Sequence, residues 1–212
     1  MLDRAMLIAV EGGDGAGKST QAARLAEAIS AAKTREPGGT AIGERVRELL
    51  VDRAWGLDDG ALDERAELFL VLAARAQHVA ERIRPWLEAG RLVVVDRFSA
   101  STIAYQGFGR GLPIGEVRRA CDLATGGLWP DLTVLLDVPV VEARRRRAGT
   151  ADRIEAEPAR FHEAVRAGFL ELAAGDPTWV VIDGSQPVGT VSALVAEAVR
   201  EHLGVAISDP KP

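Results

Sequence analysis

An α/β fold, a parallel sheet with helices on both faces, is predicted by three features of the sequence. Four short apolar runs, Met6 to Val10, Leu92 to Val95, Leu132 to Leu136 and Trp179 to Ile182, have the continuous Val/Leu/Ile character of strands buried on both faces. Helical patterns separate them, so the connections are right-handed crossovers and the strands pair in parallel. The runs end in polar groups: a glycine-rich stretch after the first, then Asp96, Asp137 and Asp183. Open parallel sheets bind ligands at these carboxyl ends. A weaker fifth strand falls at about Ser30 to Thr34, where Ala-Ala-Lys has little strand propensity. The expected architecture is three-layer α/β/α with five strands.

The first strand runs into Gly12-Gly13-Asp14-Gly15-Ala16-Gly17-Lys18-Ser19-Thr20, which satisfies G-x-x-x-x-G-K-[ST]. Strand, loop and helix follow in the order that a phosphate cradle requires. Glycines let successive N–H groups converge on phosphate oxygens, and the helix start adds the positive end of its dipole. Lys18 is placed to bridge the outer phosphates, and the Ser19 hydroxyl to ligate magnesium. The first helix is expected from Lys18 to about Ile29, with Ala22, Leu25, Ala26 and Ile29 on one stripe.

Thr34 to Thr40, Thr-Arg-Glu-Pro-Gly-Gly-Thr, follows. Pro37 holds Glu36 extended, and the paired glycines permit a close approach of the backbone. Thr40 is a natural N-cap for a helix starting near Ile42. The longest helical pattern runs from Glu64 to about Ile83, with Leu72, Ala76, Val79 and Ile83 as its apolar stripe. At 100° per residue Arg75 projects about 40° from Val79 and about 60° from Leu72. A guanidinium beside a core needs either an internal carboxylate or a ligand, and a ligand is the expectation for Arg75. His78, one turn on, is expected at the rim.

Asp96-Arg97 stands at a strand end, where an arginine can take an anion bidentately and Asp96 can hold either magnesium through water or Arg97 itself. Tyr105 and Gln106 offer an aromatic face and an amide suited to a nucleobase. The run Arg144 to Arg147, with Asp152, Arg153 and Glu155, reads as an arginine-bearing lid over about 142–156, bounded by a loop signal at Gly149 and Thr150. At most two consecutive arginines on a helix converge on one anion.

The 212 residues suit a single domain, 1–212, with a frayed tail from about 205 to 212. A net charge of -5 disfavours a nucleic acid polymer as partner. The lone Cys121 rules out a disulfide framework and points to a reducing compartment. No apolar run reaches the ~20 residues of a membrane span, and Met1 to Ala5 does not read as a signal peptide. A cytoplasmic protein is expected.

Four segments together resemble the thymidylate kinase family of P-loop nucleoside monophosphate kinases: Glu11 to Gln21, Thr34 to Thr40, Asp96-Arg-Phe with Ala104-Tyr-Gln-Gly107, and Asp152-Arg-Ile-Glu155. The resemblance spans roughly Met6 to Leu203. It implies transfer of the ATP γ-phosphoryl group to dTMP, giving dTDP for dTTP synthesis, with magnesium, a five-stranded parallel sheet and a homodimer packed through helices. By resemblance, Gly12 to Thr20 hold ATP phosphates, and Asp14 lies near the acceptor. Arg35 and Arg97 hold the acceptor phosphate, while Arg75, Tyr105 and Gln106 line the base and sugar pocket. Ser19 and Asp96 serve the metal.

Some members of the family carry an arginine in the loop where this chain has Gly15; others supply arginines from the lid. With Arg144 to Arg147 present, the chain resembles the second kind. Lys18, Arg97 and Arg153 are then the catalytic cations, Arg153 acting on the moving phosphoryl. The chain departs from the family three or four positions before Arg75, where an aromatic usually stacks on thymine; Val71 and Leu72 stand there, with Phe69 further back. Dispersion from Val71 can cover a base, with less area than a ring. Two other readings remain: a related kinase with another acceptor, and a catalytically silent nucleotide-binding regulator. A GTPase is disfavoured because no Asn/Thr-Lys-x-Asp segment occurs.

Overall fold

The computed structural model describes residues 5–52, 62–147 and 151–205. Gly149, Thr150 and the tail beyond Val205 lie outside these residues. Among the described residues there are five strands: β1 (Leu7–Glu11), β2 (Ala32–Arg35), β3 (Val93–Asp96), β4 (Leu132–Asp137) and β5 (Trp179–Asp183). They form one parallel sheet in the order β2-β3-β1-β4-β5. The expected parallel sheet is therefore what the chain builds. β1 is central and wholly buried, with Ile8 in register with Val94 on one side and Leu132 on the other.

Alternation along the strands divides the core into two layers. Ile8, Val10, Val94 and Val134 pack under α1 (Lys18–Ala28), through Ala22, Leu25 and Ala26, and under the last helix (Val188–Leu203), through Val191 and Val195. Leu7, Ala9, Val93 and Val95 face the other way, toward Val79, Ile83 and Phe98. On the same side, Leu135 meets Phe161, Val165 and Phe169 of a helix spanning Ala159–Ala173. The sheet edges are weaker: β2 exposes Lys33 and Arg35, and Val181 of β5 is half-exposed.

The helices follow local signals closely. Thr40 caps α2 (Ala41–Val51) by accepting from the Gly43 N–H at 2.9 Å, as its position predicts. Asp63 does the same for α3 (Glu64–His78). The long pattern expected to stop near Ile83 instead continues as a wider π turn over Val79–Ile83 and a last α turn, Arg84–Glu88. Pro85 sits just past the wide turn and has no N–H to return to the preceding turn. A second widening follows α4 (Ser99–Thr102), where Ile103–Gly109 is π-helical and carries Tyr105 and Gln106. The remaining helices are α5 (Ile114–Thr125), α6 (Val140–Arg146), α7 (Ala159–Ala173) and α8 (Val188–Leu203). Among the described residues no helix is long and apolar enough to cross a membrane.

Thr40→Ala removes the α2 cap and is expected to lower stability by ~1 kcal/mol. A urea titration checks this; an unchanged midpoint would show that the cap contributes nothing.

Candidate active site

The loop from Gly12 to Gly17 leaves β1 in conformations that side chains rarely adopt. Gly12 has φ 140°, and a Cβ there would stand 2.5 Å from the Leu136 carbonyl oxygen. Gly15 has φ 85°, and a Cβ there would overlap the Ala143 carbonyl oxygen of α6. Gly15 is thus glycine because the arginine-bearing helix is docked against the loop at that point.

Lys18 is buried in α1, with Nζ donating to the Gly13 carbonyl at 2.6 Å. Burial, with repulsion from Arg97 added, lowers its ammonium to about 8. The Ser19 hydroxyl donates to Asp96 Oδ2 at 2.5 Å across the gap between α1 and the end of β3. Among the described residues, Asp96 Oδ1 is buried with no hydrogen-bond partner. An orphaned carboxylate oxygen beside a serine hydroxyl and a phosphate loop suits a divalent cation or its water.

Arg97 ties the elements together. Its backbone lies in the left-handed region (φ 69°), a conformation uncommon outside glycine and found at sites where the surroundings impose it. One Nη donates to the Gly12 carbonyl and to Ser101 Oγ, each at 3.1 Å. The other reaches Asp14 Oδ1 at 2.5 Å and the Tyr105 hydroxyl at 3.2 Å. Tyr105 in turn donates to Asp14 Oδ2 at 2.7 Å. Burial would raise the Asp14 carboxyl, but Arg97 and Lys18 outweigh it and hold it well below the carboxylate range. Underneath, buried Glu11 accepts from the Phe98 N–H at 2.7 Å and Ser101 Oγ at 2.6 Å, fixing the turn after Arg97.

Two cavities meet at this group. The larger, about 910 Å³, runs along Asp14 to Gln21 past Asp96, Arg145, Arg146 and the loop Gly184 to Val188. The smaller, about 120 Å³, is lined by Val71, Arg75, Thr102, Tyr105, Gln106 and Ile154 among others. Asp14, Glu36, Arg47 and Arg97 line both.

A sequence model of the thymidylate kinase family matches residues 10–195. The chain is 46% identical to a thymidylate kinase of Desulfovibrio desulfuricans over 93% of this chain and 96% of that one. It is 48% identical to one of Thermomicrobium roseum, covering 92% and 95%. A crystal structure of thymidylate kinase from Ehrlichia chaffeensis superposes with a TM-score of 0.75 at 32% identity, covering 92% and 99%.

The chain belongs to the thymidylate kinase family. It is accordingly an ATP-dependent nucleoside monophosphate kinase with the family's α/β fold.

Against the family's pattern, the structure sorts the expected residues. Lys18, Ser19, Asp14, Asp96 and Arg97 converge at the loop, and Arg35 lines the larger cavity while paired with Glu44 at 2.7 Å. Of the two aliphatic candidates for covering a base, Val71 lines the smaller cavity. Leu72 instead packs into the core with Ile103, Val117 and Cys121. Phe69 points outward, 64% exposed.

Arg75 lines the smaller cavity yet meets an internal carboxylate as well: Nε donates to Glu36 Oε2 at 2.7 Å and Nη1 to Thr102 Oγ1 at 2.8 Å. His78 was expected at the rim and is instead fully buried, between Glu36 Oε1 at 2.9 Å and Thr34 Oγ1 at 2.6 Å. The backbone's close approach at Gly39 is to this histidine, since a Cβ there would lie 2.5 Å from His78 Nε2.

The lid arginines also differ from expectation. Arg153, expected at the moving phosphoryl, turns away from the loop: it donates to Glu67 Oε2 at 2.6 Å and to the Leu50 carbonyl at 2.8 Å. A buried carboxylate within reach outcompeted open solvent for it. Arg145 and Arg146 are the two that line the nucleotide-loop cavity. They are braced by Glu142, which they pull down to about 2. Arg144 and Arg147 instead hold the carbonyls of Glu157 and Glu155. The sequence reading missed Arg47, half-buried on α2 and lining both cavities, and Glu11; nothing in α2 but its amphipathic phase marked Arg47.

Glu36→Ala strands both Arg75 and His78 in the core, and a loss of about 3–5 kcal/mol in stability is expected from chemical denaturation. A loss under about 1 kcal/mol would show that the pair is dispensable. At about pH 8.5 Lys18 is largely neutral in the free protein, and bound phosphates restore its charge. Nucleotide binding should therefore take up a proton there and not from Lys18 at about pH 6.5, seen as a buffer-dependent enthalpy in calorimetry. Equal uptake at both values would contradict the lowered ammonium.

Proposed function

We propose that the chain transfers the γ-phosphoryl group of ATP to the 5′-phosphate of dTMP, yielding dTDP for dTTP synthesis. The observation that supports this reading most directly is the meeting of a phosphate-loop cavity and a smaller, partly apolar cavity at Asp14, Arg47 and Arg97. A donor polyphosphate in the first and an acceptor monophosphate reaching out of the second would touch at that point.

The chemistry asks for no side-chain nucleophile, because the attacking atom is already a phosphate oxygen. The protein's task is to hold two anions together and to neutralise charge on the moving group. Glycine N–H groups and Lys18 would hold the donor's β- and γ-phosphates. Arg97, Arg35 and Arg47 would take the acceptor phosphate. Arg97 is already oriented by Asp14 and Tyr105, so little reorganisation is needed as charge develops. Arg145 and Arg146 are the lid cations on the donor side, and Arg153 secures the lid segment from the other.

Ser19 and Asp96 would hold magnesium, Asp96 through water; bound there, the cation neutralises the β- and γ-phosphate oxygens. The orphaned Asp96 oxygen supports that assignment. Val71, Arg75, Tyr105 and Gln106 would receive the thymine and deoxyribose. A homodimer packed through helices would cover Phe69, and the buried lone Cys121 agrees with a cytoplasmic setting.

The test is a coupled assay of ADP release with ATP, magnesium and dTMP, beside dUMP, dGMP, dCMP and thymidine. Turnover strongly favouring dTMP is expected, and Arg97→Met should lower kcat/KM at least ~100-fold. Preference for another acceptor would move the substrate. Silence with every acceptor, while ATP still binds, would favour a nucleotide-binding regulator.

A further inference from the structure

Glu67, in the first turns of α3, is almost wholly buried and collects hydrogen bonds from three side chains. Oε1 accepts from Gln106 Nε2 at 2.9 Å and from Arg110 Nε at 3.1 Å. Oε2 accepts from Arg110 Nη2 at 3.0 Å and Arg153 Nη2 at 2.6 Å. Burial would raise this carboxyl, but Arg110, Gln106 and Arg153 outweigh it and keep it below the usual range. The group is therefore a carboxylate, which accepts hydrogen bonds and donates none.

That restriction decides how Gln106 faces the cavity. Its side-chain amide has a donating end and an accepting end, and an acceptor-only neighbour takes the donating end. The carbonyl oxygen is the end left for the cavity that Gln106 lines beside Val71, Arg75 and Tyr105.

We propose that Glu67 is a positioning residue for base selection: by fixing the Gln106 amide it makes the cavity present an acceptor to the base. Thymine offers a protonated ring nitrogen, N3–H, to such an acceptor. Cytosine offers a lone pair at the same ring position, and two lone pairs repel. The inference rests on reading the smaller cavity as the acceptor-base pocket. It also gives Arg153 a task, because the segment that carries it covers that cavity through Asp152 and Ile154. The Arg153 N–H donates to the Val51 carbonyl at 3.2 Å, and Arg110 extends the same network to Glu157 at 2.5 Å. The carboxylate that orients the base reader is thus the one that anchors the lid segment.

Glu67→Gln tests this with little change of shape. A glutamine at 67 can turn either end toward Gln106, so the amide loses its imposed direction. The kcat/KM ratio of dTMP over dCMP is expected to fall at least about tenfold, chiefly through a raised dTMP KM. A residue that served stability alone would lower both acceptors together and leave the ratio intact. A folded E67Q with an unaltered ratio overturns the inference. Should E67Q not fold, Glu67→Asp keeps the charge but withdraws the carboxylate from Gln106; a partial fall in the ratio is expected, and an unchanged ratio overturns the inference equally. A wild-type chain that turns over no nucleotide, or that prefers dCMP, removes the acceptor-pocket reading and this inference with it. A wild type that prefers dTMP, with variants of unaltered ratio, removes the inference alone.

Discussion

Arg97 is held by the phosphate loop, by the end of β3 and by the π-helical segment at once, and the site exists only where those three meet. Its guanidinium touches the Gly12 carbonyl, Asp14, Ser101 and the Tyr105 hydroxyl, and it lies 5.0 Å over the Tyr105 ring. Placing the side chain there requires a left-handed backbone at residue 97 and a buried carboxylate, Glu11, to hold the turn that follows. A cation locked before any substrate arrives needs no rearrangement when charge develops beside it. Asp14 keeps that cation in place without neutralising the whole of it.

Buried charge is the common material of the fold's functional end. Arg75, Glu36 and His78 form a chain with Thr34 and Thr102, and this chain links the end of β2, α3 and α4. Glu67 does the same for α3, the π-helical segment and the residues around Arg153. Each carboxylate is satisfied by at least two donors, which is the condition under which burying it is tolerable. Such groups specify where the elements sit, since an apolar core alone would accept several arrangements.

The arginines between 144 and 153 show why a run of like residues does not act as a unit. Helix geometry spreads Arg144, Arg145 and Arg146 around α6: Arg145 and Arg146 line the larger cavity beside the phosphate loop, whereas Arg144 and Arg147 line a separate small cavity with Gly13 and Asp14. Arg144 and Arg147 bind carbonyls of the following segment, and Arg153 is taken by Glu67. The same packing explains Gly15: with the Ala143 carbonyl against the loop, a side chain at that position has no room.

The sheet, the phosphate loop and the family were legible in the chain's order of residues, because each rests on local signals. Apolar runs mark buried strands, the glycine–lysine–serine spacing marks a cradle, and Thr40 caps its helix through its own hydroxyl. Arg75 was legible as a buried cation through helical phase, but its partner Glu36 was not, being 39 residues away. Packing between distant segments is what makes His78 interior, turns Val71 and not Leu72 to the cavity, brings Arg153 to Glu67 and places Arg47 at the site. These depend on which neighbour a side chain finds when distant segments pack. A long polar side chain can satisfy its charge in several directions, and the choice among them is made by carboxylates and carbonyls that no local pattern brings near.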